Sequence, residues 1–172
     1  DREAAEAAWR DALAGVEEPT LVAPAFTPAD TRVPARLRAE LDAGLVAELT
    51  GLARSWGVTL NTLVQVVWGV LVGGLTGRED VVFGSVVSGR PAELAGVESM
   101  VGLFINTLPV RIRLEAAETL AGLVRRVQQE QAALLAHHHL GLTEIQQLAG
   151  TGQLFDTLTV YENYPVVQAP AA

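Results

Sequence analysis

The chain reads as an α/β protein, a mixed β-sheet flanked by helices, on three observations. Residues 81–87 form a short, apolar, β-branched run bounded by turn signals, which fits a central strand buried on both faces. Leu108, Val110, Ile112 and Leu114 alternate with Arg111 and Arg113, a strand with one face towards the core and one towards water. Around these two segments, apolar residues recur at helical spacing in several stretches.

Taken in order, residues 3–14 are Ala-rich and charged, with Trp9 and Leu13 on one side, a short helix that stops at Gly15. Residues 19–34 make a Pro-punctuated crossing. Arg36, Arg38 and Glu40 then alternate with Leu37, Ala39 and Leu41, which predicts a half-exposed strand, and Asp42 follows as an N-cap. Leu45, Val46, Leu49, Leu52 and Trp56 mark a helix that Gly57 ends before Thr59 caps the next. That next helix runs to about Leu75. Its residues Leu63, Val66, Val67, Trp68, Val70, Leu71 and Val72 leave almost no polar face, so it is expected to be enclosed by other elements.

After the central strand, a segment through Pro91 and Gly96 leads to the second strand, where Asn106 falls on the core parity and Pro109 marks an edge or a bulge. Asn106 reads either as a strand-opening residue bonded to nearby backbone or as a polar group placed for function. Residues 118–136 repeat Leu120, Leu123, Val124, Val127, Leu134 and Leu135 at helical spacing, a surface helix with Arg125, Arg126, Gln128, Gln129 and Glu130 facing away. Thr143 begins a shorter helix to about Ala149, and residues 155–161 make a last strand before Pro165.

Composition narrows the function. A length of 172 residues with 49% hydrophobic content suits one domain or one lobe of a larger one. With 12 Lys+Arg against 20 Asp+Glu, a net charge of -8 and scattered basic residues, nucleic acid and anionic membrane are poor partners. The absence of cysteine removes disulfides, thiolate nucleophiles and Cys-based zinc sites. The longest apolar stretch, 60–75, is broken by Asn61, Thr62 and Gln65 and falls short of the ~20 residues a membrane span needs. Starting at Asp1 and finishing in a linker-like Ala-Pro-Ala-Ala, the sequence is expected to be a piece of a longer cytoplasmic protein.

No complete catalytic set is present in the residues themselves. His137, His138 and His139 are adjacent, point about 100° apart on a helix and cannot converge on one metal ion. Near a helix C-terminus they suit the negative end of its dipole. No serine has a G-x-S-x-G setting, since Gly84-Ser85 lies inside a strand, and Gly73, Gly74 and Gly77 form no phosphate-binding fingerprint.

Val101-Gly-Leu-Phe-Ile-Asn-Thr-Leu-Pro-Val-Arg111 resembles the [VI]-G-x-F-[VI]-N-T motif of nonribosomal peptide synthetase condensation domains, and Val87-Ser-Gly-Arg-Pro91 resembles the segment before it. Trp9-Arg-Asp-Ala-Leu-Ala-Gly15 is similar to the helix that opens the family's C-terminal lobe, and Thr59-Leu-Asn-Thr-Leu63 to its buried helix. Leu140-Gly-Leu-Thr-Glu-Ile-Gln146 and Phe155-Asp-Thr-Leu-Thr-Val-Tyr-Glu-Asn-Tyr-Pro165 are similar to its closing segments. The resemblance implies one lobe, residues 1–165, of a chloramphenicol-acetyltransferase-like two-lobed fold, with 166–172 as a linker-like tail. The family's H-H-x-x-x-D-G motif belongs to the other lobe and no version of it occurs in these 172 residues, so no catalytic residue is expected here.

Further implications concern substrates and partners. The resemblance implies amide formation between donor and acceptor thioesters carried on the phosphopantetheine arms of peptidyl carrier domains, with no cofactor or metal bound by this lobe itself. Its expected partners are the N-terminal lobe, the donor and acceptor carrier domains and an adjacent adenylation domain. Asn106, Gly102, Ser88 and Gly89 are expected to line the substrate tunnel, and Arg90 to brace the active-site motif of the other lobe. The alternatives are a sister domain that epimerises, cyclises or recruits a partner enzyme, or a non-catalytic lobe that binds carrier domains.

Overall fold

Helix formation follows the caps that the sequence places. In a computed structural model that describes residues 1–24, 34–88, 96, 100, 102 and 104–162, helix α1 spans Arg2–Ala12 behind Asp1, whose carboxylate accepts from the Glu3 amide. Helix α2 (Ala43–Trp56) begins at Asp42, which accepts from the Gly44 and Leu45 amides, and ends at Gly57 in the left-handed region, φ 69°. Helix α3 (Leu60–Thr76) starts on the Thr59 hydroxyl. Strand β1 (Asp80–Ser88) pairs antiparallel with β2 (Ile105–Arg113) in unbroken register, Gly84 opposite Pro109. Helix α4 (Leu120–Leu134) is capped by Thr119 and runs into a 3-10 turn, Leu135–His137. Helix α5 (Leu142–Ala149) and strand β3 (Leu158–Val160) complete the described elements.

The sheet has the order β2-β1-β3 among the described residues, with β1 and β3 parallel, so it is mixed as the sequence predicts. Among the described residues strand β1 is central and β2 is an edge, which accommodates Pro109 without a bulge. Two cores cover the two faces. Leu63, Val66 and Val72 of α3 and Val124 and Val127 of α4 pack on Phe83 and Ile112 on one side. On the other side Trp9 and Leu13 of α1, Ile145 of α5 and Leu154 pack with Val82, in a cluster that also takes in Leu108, which by register shares the face of Val110 and Ile112. Gly69 lets α3 sit directly on β2: a Cβ there would lie 2.6 Å from Ile112 Cγ1.

Several expectations are corrected. Residues 34–42 form no strand, and Leu37 is 98% exposed, because no neighbouring backbone among the described residues supplies the ladder that would define one. Helix α3 is not enclosed: Leu63, Val66, Gly69 and Val72 face the sheet, whereas Val64, Val67, Leu71 and Leu75 are exposed. The last strand is shorter than residues 155–161. Phe155 instead bridges Thr20, and the Asp156 carboxylate receives the amides of Val22 (2.9 Å) and Ala23 (2.7 Å), which turns the chain away from the ladder.

Arg111 does not face water as its parity suggests. Its guanidinium forks onto the Asp80 carboxylate (2.9 and 2.6 Å) and also donates to the carbonyls of Ala12 and Ala14 at the end of α1. The hydrogen bond to Asp80 raises the Arg111 pKa above the ordinary guanidinium value, against an opposing effect of burial. One side chain thus ties the sheet edge to α1. The expected tail 166–172 lies outside the described residues.

Candidate functional site

The end of the sheet where α3 begins and α4 finishes opens into a cleft of about 430 Å³. A volume of that size lies within the range of small-ligand sites. Its apolar wall comes from Trp9, Leu108, Val110, Leu134 and Leu135, while Thr62, Gln65, Ser85, Gln128 and Gln131 supply polar groups. His138 and Tyr161 are the titratable residues on its lining, and no Asp, Glu, Lys or Arg takes part among the described residues. An uncharged cleft in a chain of net charge -8 suits a neutral ligand.

The polar groups are connected. Gln131 Nε2 donates to Gln65 Oε1 (2.7 Å), and Gln65 Nε2 donates to Ser85 Oγ (2.9 Å). Nearer the start of α3, Gln128 Oε1 accepts from the Thr59 amide (3.0 Å) and from the Thr62 hydroxyl (2.7 Å). Gln65 and Ser85 are 2% and 4% exposed, so each hydrogen bond satisfies a group that would otherwise be costly to bury. Helix α3 is therefore joined by polar contacts to α4 and, through Gln65, to β1.

Asn106 stands behind the wall of this cleft. Its Nδ2 donates to the carbonyls of His138 (2.8 Å) and Leu140 (2.9 Å), and its Oδ1 accepts from the Thr107 amide (2.9 Å). Two carbonyls can only accept, so the orientation of the amide group is determined by its partners. Trp9 holds the same turn from the other side, its Nε1 donating to the His137 carbonyl at 3.1 Å. Residues from two segments far apart in sequence thus grip the turn that presents the His138 ring to the cleft. Burial, and secondarily the neighbouring His137, holds the His138 imidazole below the ordinary histidine range and favours its neutral form.

The expected site residues are distributed unevenly. Ser88 lines the cleft. Gly102 is exposed, beside the Phe104 ring, which a Cβ would approach to 3.3 Å. Gly89 and Arg90 lie outside the described residues. No group of three or more His, Asp or Glu able to hold a metal occurs among the described residues. Gln128, expected to face away from the core, instead turns to α3, where it accepts from Thr59 and Thr62 and lines the cleft; Gln65, Ser85 and Gln131 were not expected as site residues, and the available signal was a polar residue inside an apolar helix and another inside an apolar strand.

A family model described as the Condensation domain matches residues 1–171. The chain belongs to the condensation-domain family. Among curated relatives, one component of the linear gramicidin synthase of Brevibacillus parabrevis is 42% identical over 168 residues, covering 98% of this chain and 3% of that protein. The condensation-domain chain therefore spans only a small fraction of such relatives. The first condensation domain of the calcium-dependent antibiotic synthetase, solved with a substrate analogue, aligns with a TM-score of 0.71 at 21% identity, over 97% of this chain and 35% of that one. A four-domain nonribosomal peptide synthetase bound to AMP and glycine aligns with a TM-score of 0.75 at 20% identity, over 94% and 13%. At those identities the likeness shows the fold, a mixed sheet with flanking helices.

Proposed function

We propose that this chain is the C-terminal lobe, residues 1–165, of a condensation domain and helps to form the passage in which an amide bond joins a donor and an acceptor thioester. The observation that supports this best is the uncharged, hydrogen-bonding cleft, backed by the turn that Asn106 and Trp9 hold. Such a surface can orient neutral chains, which is how much of the rate of a reaction between two tethered groups is obtained. Among the described residues its lining carries no carboxylate. The catalytic histidine motif is accordingly assigned to the other lobe, and this chain alone should be inactive.

In this reading both thioesters arrive on phosphopantetheine arms of peptidyl carrier domains, and the N-terminal lobe and an adenylation domain are neighbours in a cytoplasmic synthetase. Ser88 faces the substrate directly. Asn106 acts through the turn it braces, since both amide hydrogens are committed to His138 and Leu140. Gly102, Gly89 and Arg90 keep their expected roles as tunnel and supporting residues. The test supplies the complete domain with donor and acceptor aminoacyl carrier proteins and follows the dipeptidyl carrier by mass spectrometry. Amide product that needs both lobes is expected; inversion at the α-carbon without amide formation would replace the reading with an epimerising sister domain.

A further inference from the structure

The hydrogen bonds on the cleft floor form a row whose sense is set by how its two amide groups are turned. Gln131 donates to Gln65, and Gln65 donates to Ser85. The Ser85 oxygen accepts in that series, so its single hydroxyl hydrogen is left to donate, and Gln65 keeps a second amide hydrogen. Neither hydrogen meets an acceptor among the described residues. Hydrogen bonds in series polarise one another, which strengthens the donor at the end of the row. With no charged side chain on the lining, the complement of this row is a neutral acceptor with a carbonyl oxygen.

We infer that the Gln131-Gln65-Ser85 row is a subsite that donates a hydrogen bond to a carbonyl oxygen of a neutral, amide-bearing chain lying in the cleft, an inference that rests on the proposed passage. Two sources carry that chemistry, a pantetheine arm and the peptidyl group it bears. Both glutamines come from helices, α3 and α4, while Ser85 comes from the central strand; Gln65 and Ser85 are buried and Gln131 is half-buried. A ligand group docked on it would be positioned against rigid elements, as precise orientation requires.

The test uses the complete condensation domain and two probes, pantetheine and N-acetyl-alanine methylamide, with affinities measured by ligand-detected NMR titration. Ser85→Ala removes the terminal donor and is expected to weaken binding about three- to tenfold, the range for one neutral hydrogen bond. Ser85→Thr keeps a hydroxyl and should retain affinity. Gln131→Glu leaves Ser85 in place but cannot donate to Gln65, so the Gln65 amide must turn over and Ser85 must then donate to it. That variant should lose as much affinity as Ser85→Ala, a result that a purely structural serine would not produce. The probe that shows the loss identifies the source.

Unchanged binding in both Ser85→Ala and Gln131→Glu overturns the subsite. So does an unaltered domain that binds neither probe. Amide formation measured on the same preparation then separates the two levels: if product forms, the passage stands and only the subsite falls; if none forms, both fall.

Discussion

Asn106 and His138 show how a residue can matter without touching a substrate. Replacing Asn106 by Ala leaves the His138 and Leu140 carbonyls without their donor, an effect of about 1–3 kcal/mol on stability. Asn106→Asp should be worse at neutral pH, because a carboxylate then faces two carbonyls; urea denaturation of the complete domain would rank the two, and equal midpoints for Asp and Asn would exclude the clamp. His138 gives a pH signature. Its folded pKa lies below the unfolded value of about 6.5, so its neutral form stabilises the fold above that value and the contribution is lost as pH falls through the folded pKa. Stability compared at pH 7.5 and pH 5 should drop less in His138→Gln than in the unaltered domain. Asn106 is conspicuous in the sequence as a polar residue on the core parity, yet its partners, two carbonyls over 30 positions away, are not readable from spacing.

At the scale of elements, close approach and capping explain most of what holds the cleft open. Gly69→Ala would place a Cβ 2.9 Å from Ile112 Cβ, an atom fixed to the backbone, so α3 must lift from β2. A destabilisation of about 1–3 kcal/mol is expected, together with loss of the Gln65–Ser85 contact. A thermal midpoint unchanged from the unaltered domain would show that the helix relaxes without cost. Helix boundaries are legible because caps are local: Asp42, Thr59 and Gly57 do in the structure what their residue types suggest. The strand expected at 36–41 fails for the opposite reason. Alternation is a local pattern, but a strand exists only through a neighbour, and Leu37 has none among the described residues.

For the whole molecule, the exposed apolar residues of α3 and the net charge of -8 act against each other. Repulsion keeps copies apart near neutral pH and vanishes as pH approaches the isoelectric point of about 4.8. Light scattering of the domain should therefore rise between pH 7.5 and pH 5, and Val67→Glu with Leu71→Glu should suppress the rise; equal scattering with and without the two glutamates would mean that this face is not adhesive. The α/β class, the helix limits, the central strand and the condensation-domain family can all be read from the residues in order, because capping, periodicity and motif order are properties of neighbouring residues. Folding in three dimensions was needed to establish that Arg111 ties the sheet to α1, that α3 buries one face only, and that Gln65, Ser85 and Gln131 form a single row. Those facts depend on which distant backbones meet, and no local pattern of residues records that.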